Sequence, residues 1–95
     1  MELGGNAPFI VFADADLDVA IKSLMASKFR NAGQACIASN RVMVHESVYE
    51  EFVDRVKTAV SSLKCGSGFD KDVNIGPLIN KKARDKVRLY SLVVL

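Results

Sequence analysis

Four consecutive apolar residues, Phe9-Ile10-Val11-Phe12, stand between Pro8 and the acids Asp14, Asp16 and Asp18. They are β-branched and aromatic and show no polar alternation, which predicts a strand buried on both faces. A strand of that kind cannot stand alone, because it needs neighbours on each side and helices above and below. From Leu17 the apolar positions fall at 17, 20, 21, 24 and 25, a helical stripe with acids in its first turn and Lys28 and Arg30 in its last. Gly33 is a natural stop for that helix. Arg41–His45 (RVMVH) is a second short strand, and Ser47-Val48-Tyr49-Glu50 has the capping-box pattern that opens a helix reaching about Leu63. Gly66, Gly68, Asp70, Asn74, Gly76 and Pro77 mark a loop, after which Asn80 caps a last helix with Ala83, Val87 and Tyr90 on one face.

The order strand, helix, strand, helix, loop, helix predicts an α/β fold: a partial three-layer sheet with helices on both faces. Two strands are too few to complete such a sheet, so the expectation is a piece of a larger domain over residues 1–88. A divergent or truncated tail over 89–95 follows, where LYSLVVL leaves the amphipathic pattern. Within 95 residues there is no room for separate cofactor and substrate domains. Hydrophobic residues at 49% and charged residues at 25% argue against disorder and low complexity.

A net charge of +2 is too small for a nucleic-acid footprint over the whole surface, and no apolar run approaches the ~20 residues that span a bilayer. Neither nucleic acid nor membrane is therefore expected as a partner. Met1-Glu2 followed by Gly4-Gly5 is unlike a signal peptide. Cys36 and Cys65 have neither zinc-site nor CxxC spacing and read as free thiols of a reducing intracellular compartment, cytoplasm or mitochondrion. No metal is expected: His45 is the only histidine and has no ligand partners in sequence. Gly66-Ser67-Gly68 lacks the third glycine of a dinucleotide fingerprint. Lys81, Lys82, Arg84, Lys86 and Arg88, set against Asp85, read as a solvated helix face, the alternative being a small basic binding module.

Two residues stand out for chemistry. Cys36 lies just past a helix end on a loop softened by Gly33, where a nucleophile is well presented, although a free thiol at such a place can equally be a packing residue. Glu2 precedes a flexible Gly-Gly pair and could serve as a general base or remain a solvated charge.

The segments holding them, MELGGNAPFIVF around Glu2 and FRNAGQACIASNR around Cys36, resemble the active-site signatures of the aldehyde dehydrogenase superfamily. The interval between the two residues and the later NIGPLIN fit the same resemblance, over roughly positions 1–88. It is closest to the succinate-semialdehyde dehydrogenase branch, in which ELGGNAPFIVF, DADLD, ASKFRNAGQ and GPLIN occur together.

The resemblance implies the start of that superfamily's catalytic domain and an NAD- or NADP-dependent oxidation of a small aldehyde, succinate semialdehyde above all. It also implies complete family members that are homo-oligomeric. Cys36 would be the nucleophile and its amide an oxyanion donor. Glu2 would activate the hydrolytic water, Arg30 would hold the far carboxylate of the substrate, and Leu3 and Gly4 would touch the cofactor. Because six extended residues span about 20 Å, the chain must fold back after Gly33 for Arg30 and Cys36 to serve one small substrate. The cofactor would be held mainly by parts of the enzyme outside this chain, which alone would be inactive. Many members of the branch have a second cysteine two residues after the nucleophile; here that position is Ala38, which removes a neighbouring-disulfide switch. Ala35 and Ile37 likewise stand where threonine and valine are common. A rival expectation is a non-catalytic truncated product that associates with full-length subunits.

Overall fold

The computed structural model describes residues 3–94, with side chains to residue 92. Strands β1 (Ala7–Val11) and β2 (Ser39–Val44) pair in parallel, and helix α1 (Leu17–Phe29) carries the chain back between them. The register sets Phe9 beside Val42, Ile10 beside Met43 and Val11 beside Val44. It slips between Ala7 and Pro8, where the proline has no N–H to give to the ladder. Phe12, expected to close β1, lies outside it and is 65% exposed.

Asp16 starts α1 by accepting hydrogen bonds at Oδ1 from the amides of Asp18 and Val19, at 2.9 and 3.1 Å. On one side of the sheet Val11, Leu24 and Phe52 form the buried centre, ringed by Phe9, Ala15, Leu17, Ala20, Ile21, Val44, Val48 and Val56. Burying each of the three central side chains contributes about 1.5–3 kcal/mol. Phe52 comes from helix α2 (Tyr49–Ser61), so α1 and α2 cover the same face. Arg55 of α2 ties the two helices by pairing with Asp18 and Glu51. Its hydrogen bond to the Glu51 carboxylate holds the guanidinium above its ordinary value, against the opposing effect of desolvation. On the other face Ile10 and Met43 are 55% and 45% exposed. The α/β class is the one predicted, with one covered face within this chain.

Three local details differ from the sequence reading. The turn before α2 is capped by His45, whose Nδ1 accepts from the Ser47 amide at 3.3 Å and bonds the Ser47 hydroxyl at 2.9 Å, and not by Ser47 itself. α2 follows from Val48 without a side-chain cap. Helix α3 (Lys81–Val94) runs on past Leu89, so the break at LYSLVVL is one of side-chain pattern; Leu89, Tyr90 and Leu92 are all exposed. Its start is as expected, with Asn80 Oδ1 accepting from the Ala83 amide at 2.9 Å.

Between α2 and α3 the loop is closed at its neck. The Lys64 carbonyl accepts from the amides of Asn74 and Ile75, and the Gly66 amide donates to the Ile75 carbonyl, each at 3.0 Å. α3 adds no residue to the core among the described residues.

Candidate active site

Parallel strands enter a sheet from the same end, and the helix between them runs the other way. The segment leading into β1, the segment leading into β2 and the C-terminus of α1 are thereby delivered to one place. Side-chain contacts fasten them. The Ser27 and Ser39 hydroxyls bond at 2.7 Å, and Lys28 Nζ donates to Asn40 Oδ1 at 2.8 Å. Asn40 Nδ2 donates in turn to the Gly5 carbonyl at 3.2 Å, and Arg41 Nε to the Asn6 carbonyl at 3.0 Å. Asn40 thus links the end of α1, the strand that follows Cys36 and the segment leading into β1.

Cys36 sits half-buried in a tight turn closed by the Ala38 amide donating to the Ala35 carbonyl at 3.0 Å. The turn is anchored by Ala38 and Ser39, 1% and 5% exposed, while Ile37 stands out at 64%. Among the described residues the Cys36 amide has no acceptor, which leaves it free to donate to a developing oxyanion. Arg30 ends α1 with φ −55° and ψ 129°; it is exposed and forms no ion pair among the described residues. The fold-back expected after Gly33 comes earlier. Asn31, Ala32 and Gly33 are all left-handed, with φ of 52°, 56° and 76°, and they turn the chain within three residues. Leu3 is 70% exposed and Gly4 stands open beside it. Glu2 lies outside the described residues.

Gln34 escaped the sequence reading. Its Nε2 donates to the carbonyls of Asn31 at 3.0 Å and Pro77 at 3.4 Å, while its Oε1 accepts from the Ile79 amide at 2.9 Å. The only hint in the sequence was its place inside the motif ending at Cys36, since nothing in spacing couples it to a segment 43 to 45 residues away. Asn40 and Arg41 were equally silent, because their bonds go to backbone carbonyls.

The aldehyde dehydrogenase family model matches residues 1–92. The chain belongs to the aldehyde dehydrogenase family. It is 58% identical over 87 residues to a succinate-semialdehyde dehydrogenase [NADP(+)] of Escherichia coli, a match covering 92% of this chain and 18% of that protein. It is 54% identical to a glutarate-semialdehyde dehydrogenase of Pseudomonas aeruginosa over the same shares of the two chains. The crystal structure of a succinate-semialdehyde dehydrogenase from Burkholderia pseudomallei superimposes with a TM-score of 0.87 at 56% identity, over 93% of this chain and 18% of that one. The chain therefore spans about a fifth of the length of these aldehyde dehydrogenases.

The family implies a nicotinamide cofactor. A Cβ placed at Gly4 or Gly5 would meet no heavy atom within 4 Å, so the backbone beside exposed Leu3 is open. Gly66-Ser67-Gly68, by contrast, lies in the loop and opens no helix, which gives it no phosphate cradle. The described residues include bare backbone at Gly4 and Gly5 but no glycine-rich turn that opens a helix. Among them no group of three His, Cys, Asp or Glu could hold a metal ion, and no helix is long and apolar enough to cross a membrane.

Proposed function

We propose that this segment carries the nucleophile, general base and substrate arginine of an NAD- or NADP-dependent aldehyde dehydrogenase that oxidises succinate semialdehyde to succinate. The observation supporting this reading is that the segment leading into β1, the end of α1 next to Arg30 and the start of β2 just after Cys36 are held together at one end of the β1–α1–β2 unit by the bonds of Asn40 to Lys28 and Gly5. Two relatives named for dicarboxylic semialdehydes agree with a cation at position 30.

In this mechanism the Cys36 thiolate adds to the aldehyde carbon, and the Cys36 amide steadies the oxygen as it takes on charge. Arg30 holds the distal carboxylate by two parallel hydrogen bonds and aligns the reacting carbon. Leu3 and Gly4 would border the nicotinamide ring, which when bound would supply the hydride acceptor for that carbon. Glu2 takes a proton from the water that attacks the resulting thioester, so the acid departs and the thiol is restored. Residues 1–88 act as part of a larger catalytic domain, and the chain alone does not turn over. Its two free thiols suit a reducing compartment, cytoplasm or mitochondrion. The open face bearing Ile10 and Met43 favours a second reading, in which the chain associates with full-length subunits without catalysing.

The test places this segment at the matching residues of the Escherichia coli relative and follows aldehyde-dependent cofactor reduction. Cys36→Ser should abolish turnover. Glu2→Gln should leave a first-turnover burst and slow the steady state, because only thioester hydrolysis is impaired. Full turnover in Cys36→Ser would remove the nucleophile from the mechanism.

A further inference from the structure

We infer that Gln34 is a positioning residue for Cys36, and that it acts by clamping the turn before the nucleophile to the distant Pro77–Ile79 segment. The inference rests on the reading of Cys36 as nucleophile. Three successive left-handed residues precede Gln34; glycine and asparagine tolerate that conformation, but Ala32 carries a side chain that disfavours it, and a run of three is uncommon. Such a run persists only where surrounding bonds over-determine it.

Those bonds converge on Gln34. Its own amide and its Nε2 both donate to the Asn31 carbonyl, and Asn31 Nδ2 donates back to the Gln34 carbonyl at 3.2 Å. These close the turn on itself but attach it to nothing else. The external attachment is the side-chain amide, which presents an acceptor to the Ile79 N–H and a donor to the Pro77 carbonyl, much as a neighbouring strand would. Residues 77–79 are tied down on both sides, through the neck of the preceding loop at Lys64 to Ile75 and through the Asn80 cap of α3.

Cys36 follows Gln34 by two residues, so a turn held at Gln34 fixes where the thiol stands, and misplacement by about 1 Å can cost a hundredfold in rate. Pro77, Leu78 and Ile79 then belong to the catalytic apparatus without any of them being a catalytic residue. Ile79 serves through its backbone N–H, its side chain being 81% exposed.

The experiment is a double-mutant cycle in the complete enzyme carrying this segment. Gln34→Met keeps the shape of the side chain and removes its hydrogen bonds; Ile79→Pro removes the N–H that Gln34 accepts. Each should lower kcat about ten- to a hundredfold with KM for aldehyde and cofactor within twofold, and the double variant should lose no more than the worse single one. Gln34→Glu keeps the acceptor for Ile79 and sets a charge against the Pro77 and Asn31 carbonyls, so part of its loss should be recovered as pH falls and the carboxylate takes up a proton. A kcat within twofold of the parent in Gln34→Met, or losses that multiply in the double variant, would overturn the clamp. Activity surviving in Cys36→Ser would instead remove the nucleophile, so the two failures are distinguishable.

Discussion

Replacing Gly33 by alanine and Ala32 by glycine should move the Cys36 turn in opposite directions. At φ 76° Gly33 is left-handed, and a side chain there costs roughly 1–2 kcal/mol. A Cβ at Gly33 would also stand 3.2 Å from the Lys28 carbonyl oxygen, a backbone atom at the end of α1 that cannot swing aside. Gly33→Ala should therefore destabilise the closed turn by at least about 1–2 kcal/mol, or roughly five- to thirtyfold in its opening equilibrium. Ala32 already bears that left-handed strain at φ 56°. Ala32→Gly relieves it and gives back about 0.5–1 kcal/mol through the greater freedom of glycine in the open chain, for a net effect between neutral and about 1.5 kcal/mol stabilising. Hydrogen exchange of the Gln34 amide, which donates to the Asn31 carbonyl at 3.1 Å, reads this opening locally in the complete enzyme. Exchange should quicken in Gly33→Ala and hold or slow in Ala32→Gly. Equal acceleration in both, or a Gly33→Ala rate within twofold of the parent, would refute the strain assigned to this turn.

Arg30→Ala in the complete enzyme should lower kcat/KM for succinate semialdehyde by roughly 2–3 kcal/mol, about 30- to 150-fold, and for an uncharged aldehyde of similar length much less. Arg30→Lys should recover only part of the loss, because a point charge lacks the two-pronged geometry; equal losses for both aldehydes would take the carboxylate role from Arg30. The chain by itself should self-associate through the face bearing Ile10 and Met43, and sedimentation should show smaller species for Ile10→Thr combined with Met43→Thr. Asn80→Ala should cost about 1 kcal/mol at the start of α3, seen as faster exchange of the Ala83 amide, which bonds the Asn80 side chain.

What could be read from the residues was whatever rests on local chemistry and periodicity. Asn80 begins its helix because a short amide beside free N–H groups caps it wherever it falls, the acids before Leu17 marked the start that Asp16 caps, and the stripe from Leu17 to Met25 needed only its own spacing. The strands were found but displaced at their ends, since Phe12 is apolar and yet lies beyond the last paired residue. Ser47 looked like the cap of α2 by pattern, while in the fold its own amide and hydroxyl bond the ring of His45, which caps the short turn ahead of α2. At the site, Cys36 and Arg30 were singled out through motif resemblance. The left-handed turn between them was not, because Gly33 and Asn31 tolerate such a conformation without requiring it and Ala32 gives no sign of it. Gln34, Asn40 and Arg41 act on backbone carbonyls of segments far along the chain, and partners of that kind leave no signature in residue identity.

Covalent trapping is the most direct measurement of the role given to Cys36. The complete enzyme carrying this segment with Glu2→Gln would be mixed with cofactor and succinate semialdehyde, quenched within one turnover, digested and mapped by mass spectrometry. A succinyl thioester on the peptide holding Cys36, absent without cofactor and absent from the peptide holding Cys65, is the predicted result. Cofactor reduction with no acyl group on Cys36, or with the acyl group on Cys65, would contradict it.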